Sequence, residues 1–190
     1  MSGLESIYVS TGTDLVQLVQ LIRMPMLDAA FSGLTRLGEA PALLLASLAM
    51  LVMPMQNRLH RQGRWIGLGM LAAFLLASLV NAELKSALDV PRPSPDDVYT
   101  AGEASDSATP SAHTMSAAAV WFFLALSLQR LGQVWLAVAA IPLVVGFSRV
   151  YLGMHYPGDV LLGLGLGGAI AVLLHLALSW RGANSQPATA

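Results

Sequence analysis

The sequence predicts an all-α fold: a polytopic transmembrane helical bundle of five to six spans with an N-terminal amphipathic helix. Composition and pattern both point there. Hydrophobic residues make up 55% of the 190 positions and charged residues 11%, against about 25% charged in ordinary soluble domains. The apolar residues also gather into runs close to the ~20 residues that cross a hydrocarbon core.

Four runs have spanning length, at residues 65–84, 113–128, 133–152 and 157–180. A fifth, 41–55, is short for a span and becomes long enough if its helix starts near Leu34 or if its flanking residues snorkel. Ahead of it, residues 4–32 mix Leu, Val and Met with Asp14, Gln17, Gln20, Arg23 and Asp28. That two-faced pattern suits a helix lying at the interface, with a sixth span as the alternative. The chain reads as one domain over 1–183, with 1–33 interfacial or a first span and 184–190 a disordered tail. Residues 1–13 lack the basic start and apolar centre of a cleavable leader, so membrane entry is expected from internal helices.

Loop charges orient these helices. Arg58, Arg61 and Arg64 lie in one loop without an acid, Arg130 lies in a short turn, and Arg181 follows the last run. These segments are expected on the cytoplasmic side. Alternation then puts residues 85–110 and 148–159 together on the outer face. Ten Lys and Arg against eleven Asp and Glu supply no basic face for nucleic acid. The absence of cysteine removes disulfides and thiolate metal sites.

Three polar stretches interrupt the apolar chain on that outer side. In the first, Lys85, the sole lysine, ends an apolar run with six residues between it and Arg92-Pro93, and a charge so placed asks for a counter-charge. Two cations facing one point would hold a phosphate ester, although the pair reads equally well as two side chains snorkelling to headgroups. In the second, Pro110-Ser111-Ala112-His113 opens a span, with Ser111 as N-cap and free amides at a positive dipole end. There His113 could donate a proton to a leaving oxygen, or Ser111 could be an ordinary cap and His113 an interfacial residue. In the third, Ser148-Arg149 offers another cation, and His155 and Asp159 flank Pro157-Gly158 at the start of the last span. An Asp in that first turn can hold one ring nitrogen of His155 and leave the other as a nucleophile; a capping Asp with a lipid-facing His is the alternative. His60 and His175 have no such neighbours.

Between the first two stretches, Asp96, Asp97, Glu103 and Asp106 are expected to form a solvated rim rather than a metal site. Gly163, Gly165 and Gly168 match a dinucleotide-binding spacing, but no strand precedes them. Gly163 and Gly167 read instead as a close-packing helix face.

Taken in order, Lys85 with Arg92-Pro93, Pro110-Ser111-Ala112-His113, and Ser148-Arg149 with His155 and Asp159 resemble the three motifs of the type 2 phosphatidic acid phosphatase family. The members of that family are membrane lipid phosphatases related to vanadium haloperoxidases. The resemblance implies that His155 attacks phosphorus, Asp159 orients it, and His113 protonates the departing alcohol and then activates water. It also implies that Lys85, Arg92, Ser111, Ala112 and Arg149 bind the phosphoryl oxygens, with no metal and no cofactor. Ala112 departs from the family pattern, which most often has Gly there. The expected activity is hydrolysis of a lipid phosphate or diphosphate at the outer leaflet of a bacterial inner membrane. Isoprenyl (undecaprenyl) diphosphate stands first among substrates, ahead of phosphatidic acid, phosphatidylglycerol phosphate and a lipid A phosphate. The competing readings are a non-catalytic phospholipid-binding protein, a serine hydrolase built on Ser111, and a vanadate-dependent peroxidase.

Overall fold

A computed structural model describes residues 3–52, 58–102, 104–130 and 132–184, with side chains described except at 58–62 and 180–184. Glu103, the side chains of Arg58, Arg61, His60 and Arg181, and the tail from residue 185 lie outside the described residues. Described secondary structure is entirely helical: α1 (Gly3–Gln20), α2 (Pro25–Leu34), a 3₁₀ turn (Thr35–Gly38), α3 (Ala40–Val52), α4 (Arg58–Leu88), α5 (Ala112–Leu128), α6 (Val134–Tyr151) and α7 (Pro157–Asn184).

Gly63–Leu88, Val134–Tyr151 and Pro157–Ser179 are long and apolar enough to cross a bilayer. Pro25–Gly38 and Ala40–Val52 together would form a fourth span, bent by 54°. The chain is thus a multi-pass membrane protein. At 17 residues α5 is shorter than these, yet it is the central helix, packed against α4, α6 and α7.

Of the two routes to a long enough fifth span, a helix starting near Leu34 does not form. Leu34 closes α2, and Glu39 is extended (φ −81°, ψ 150°) between the 3₁₀ turn and α3. Pro41, in the first turn of α3, has no amide hydrogen to give to a helix running through from residue 37. The indole of Trp121 on α5 donates to the carbonyl of Leu37 at 3.0 Å, partnering backbone exposed by the break.

Small residues decide how closely the central helices approach. A Cβ on Gly167 would lie 2.7 Å from that of Ala118, and one on Gly163 would lie 3.0 Å from the carbonyl oxygen of Ser111. Nothing lies within 4 Å of a Cβ on Gly165. Gly163 and Gly167 therefore form the packing face of α7 against the alanine-rich side of α5. On α4, Met70, Ala73 and Ala77 form a buried stripe at helical spacing. Up-and-down connection brings the end of α4, the start of α5, the end of α6 and the start of α7 to one end of the bundle.

Candidate active site

Each of the three polar stretches enters this end from a helix terminus. Lys85 lies in the last turn of α4 and Arg149 in the last turn of α6. Ser111 precedes α5, and Asp159 lies in the first turn of α7. Ser111 N–H donates to the carbonyl of Asp159 at 3.2 Å, tying α5 to α7. The turn that delivers His155 needs a glycine. Gly153 has φ +66°, and a Cβ there would collide with the carbonyl of Tyr99.

His155 is almost fully buried. Its Nδ1 lies 2.8 Å from the carbonyl oxygen of Ala108, which can only accept, so Nδ1 carries the proton. Nε2 keeps its lone pair and faces Arg92, whose Nη1 is 3.3 Å away and also donates to the Met154 carbonyl at 2.8 Å. The Asp159 carboxylate stands 3.5 Å from Nδ1, longer than the hydrogen bond expected from the sequence, and pairs with the ring as a charge only when the ring is positively charged. The backbone carbonyl takes that bond because the Asp159 oxygens are committed elsewhere. Tyr8 donates to Oδ1 at 2.6 Å, Thr109 donates to the same oxygen, and Tyr156 N–H donates to Oδ2 at 2.8 Å.

Burial, reinforced by the positive charges of Arg92 and Arg149, pushes the His155 imidazole down to about 4 despite Asp159. Because the folded value lies below the unfolded ~6.5, the neutral ring contributes stability that is complete above about pH 6.5. That contribution is lost as pH falls through 4. Thermal unfolding in detergent should therefore give a wild-type advantage over His155→Asn that shrinks between pH 6.5 and 4. An advantage unchanged across that window contradicts a neutral buried ring.

The cations hold one another's partner. Lys85 Nζ donates to Asp106 Oδ2 at 2.5 Å and to the Ser107 carbonyl at 2.6 Å. Arg92 Nη2 donates to Asp106 Oδ1 at 2.7 Å, and Nε donates to the Asp106 carbonyl at 3.0 Å. Although burial acts in the opposite sense, the hydrogen bonds from Lys85 and Arg92 carry the Asp106 carboxyl down to about 2. Asp106, its side chain 57% exposed, is solvated as the rim reading expected, and it also bridges Lys85 and Arg92. Lys85 found its counter-charge inside the protein.

Arg149 is buried, and its Nη1 reaches Thr35 Oγ1, in the 3₁₀ turn, at 3.4 Å. Its Nε is buried with no hydrogen-bond partner among the described residues. His113 is half-buried and interacts electrostatically with Arg149, His155, Arg92 and Lys85. Ala112 opens α5, where first-turn amides have no intrahelical acceptor. Ser111 is in the N-cap position but makes no side-chain cap bond. It is fully buried, and its hydroxyl receives a hydrogen bond from Thr114 at 3.0 Å. That geometry does not suit a serine nucleophile.

The eight residues expected from the sequence therefore converge on one end of the bundle. Tyr8, Thr35, Asp106, Ala108 and Thr109 escaped sequence reasoning. Only Asp106 left a signal there, as an acid within reach of a lysine that needed one. Among the described residues no group of three or more His, Cys, Asp or Glu side chains is arranged to hold a metal ion.

This end gathers three cations around a buried imidazole, and the class that such chemistry defines is the membrane-embedded phosphatase. Known proteins then settle the family: the PAP2 superfamily pattern matches residues 66–183, and the chain belongs to that superfamily. It is 35% identical over 155 residues to phosphatidylglycerophosphatase B of Bacillus subtilis, covering 77% of this chain and 73% of that protein. It is 30% identical over 157 residues to decaprenylphosphoryl-5-phosphoribose phosphatase of Mycobacterium tuberculosis, covering 81% and 82%. The crystal structure of a transmembrane PAP2-type phosphatidylglycerolphosphate phosphatase from Bacillus subtilis matches with a TM-score of 0.76 and 28% identity, over 95% of this chain and 88% of that one. The protein is accordingly a lipid phosphatase, a hydrolase of the membrane.

Proposed function

We propose that this protein cleaves the terminal phosphate of a lipid phosphomonoester or diphosphate through a phosphohistidine on His155. The observation that carries this reading is the fixed tautomer of His155: Nδ1 bonded to the Ala108 carbonyl, Nε2 aimed at the cation cluster. Asp106 lends further support. Its two carboxylate oxygens reach both Lys85 and Arg92, so two phosphoryl oxygens arriving in its place can do the same.

In the first step Nε2 forms a bond to phosphorus while the bond to the lipid oxygen breaks and that oxygen takes a proton from His113. In the second, His113 removes a proton from water, whose oxygen attacks phosphorus and returns the electron pair to Nε2, releasing inorganic phosphate. Lys85, Arg92, Arg149 and the first amides of α5 stabilise the charge on the equatorial oxygens. Asp159 offsets the positive charge of the phosphorylated ring. No metal enters this route.

Residues 1–183 act as one domain of five to six spans with α1 at the interface, in a bacterial plasma membrane with the site facing outward. Arg64 and Arg130, at the opposite end from the site, support that orientation. Both curated relatives act, by name, on lipids ending in a phosphate monoester. Phosphatidylglycerol phosphate and phosphatidic acid therefore join isoprenyl diphosphate at the head of the substrate panel. Solubilised protein is expected to release phosphate from at least one of these, undiminished by EDTA and competitively inhibited by vanadate. Lipid binding with no release across the panel would leave a binding protein instead.

A further inference from the structure

Asp159 is held by more than the segment that carries the superfamily pattern. Tyr8 sits on α1, far outside residues 66–183, yet its hydroxyl donates to Asp159 Oδ1 at 2.6 Å across 151 positions of chain. Thr109 donates to the same oxygen, Tyr156 N–H takes Oδ2, and the carboxylate is fully buried. A buried carboxylate with three donors is strongly fixed in place.

Packing around Tyr8 is built to the same end. A Cβ on Gly158 would lie 2.7 Å from the Tyr8 ring and hydroxyl, and one on Gly12 would lie 2.6 Å from the Tyr156 ring. Each side leaves a glycine where the other places a tyrosine. The two rings meet edge to face at 5.7 Å and 81°. Helix α1 is thereby keyed to the turn that begins α7, and Gly12 and Val16 are its buried residues.

We propose that Tyr8 is a positioning residue of the hydrolytic site: with Thr109, it pins the Asp159 carboxylate at charge-contact distance from His155. This rests on His155 as nucleophile and Asp159 as its partner. When Nε2 bonds to phosphorus and His113 protonates the leaving oxygen, the ring keeps its Nδ1 proton and gains positive charge. A carboxylate pinned 3.5 Å away stabilises that charge without drawing the proton from the Ala108 carbonyl. A carboxylate released by the loss of a donor can turn toward Nδ1 and reorient the ring. Since Tyr8 touches no phosphoryl oxygen in this scheme, its effect falls on kcat rather than on KM.

The test uses full-length protein in detergent with dioleoyl phosphatidic acid micelles. Tyr8→Phe keeps the ring packing and removes only the hydroxyl. It should lower kcat about tenfold, as expected for one hydrogen bond to a buried charge. KM should stay within about twofold, and Asp159→Asn should lower kcat further. In the Asp159→Asn background, Tyr8→Phe should cost nothing more, because both act through one carboxylate. Wild-type kcat in Tyr8→Phe beside an impaired Asp159→Asn overturns this inference alone, as does an undiminished effect in the double variant. Wild-type kcat in Asp159→Asn overturns the underlying reading of the site. Should Tyr8→Phe yield no folded protein, Thr109→Val removes the other donor to the same oxygen and decides between the same outcomes.

Discussion

His155→Ala should abolish phosphate release from the purified protein, a loss of about 10⁴-fold or more on the scale of removing a catalytic nucleophile. The size follows from the absence of a substitute. Ser111 is buried against Thr114, and no cysteine exists in the chain. A residual rate would have to come from water activated by His113 within the same cations. Rapid quenching of wild-type protein with ³²P-labelled lipid should trap a phosphoenzyme stable to alkali and labile to acid, which His155→Ala lacks. Undiminished turnover by that variant would falsify the nucleophile assignment.

Arg149→Met should lower kcat/KM by about a thousandfold, the scale of losing charge-assisted hydrogen bonds to a phosphoryl group in a buried site. Lys85 and Arg92 already have Asp106 as a partner, whereas Arg149 carries a buried Nε with none among the described residues. A guanidinium held in this way costs stability until an anion arrives. The same variant should therefore unfold at or above the wild-type temperature while losing activity. Arg149→Lys should recover little, because a point charge does not replace a planar fork. Activity within tenfold of wild type in Arg149→Met, or a large fall in its unfolding temperature, contradicts this role.

Much of this was legible along the chain. The α4, α6 and α7 spans follow from the length of their apolar runs, since a bilayer leaves little choice but helix for such segments. The close face of Gly163 and Gly167 followed from their spacing of four, which puts both on one side of α7. The site residues were legible because charge inside an apolar chain is costly and therefore conspicuous. The break at 35–39 was less so: Gly38 and Pro41 permit it, but the partner that makes it tolerable, Trp121, lies on another helix.

What the sequence determined by itself is the helical membrane class, and it singled out the seven polar residues and Ala112 that the fold gathers at one end of the bundle, because both arise from hydrophobicity and ordered spacing, which are local. Only the tertiary structure decided who partners whom. It put Asp106 between Lys85 and Arg92, gave the Nδ1 proton of His155 to a backbone carbonyl instead of to Asp159, and brought Tyr8 across 151 positions to the carboxylate that remained. Such pairings depend on distances of 3 Å between atoms far apart in sequence, and neither composition nor periodicity encodes these.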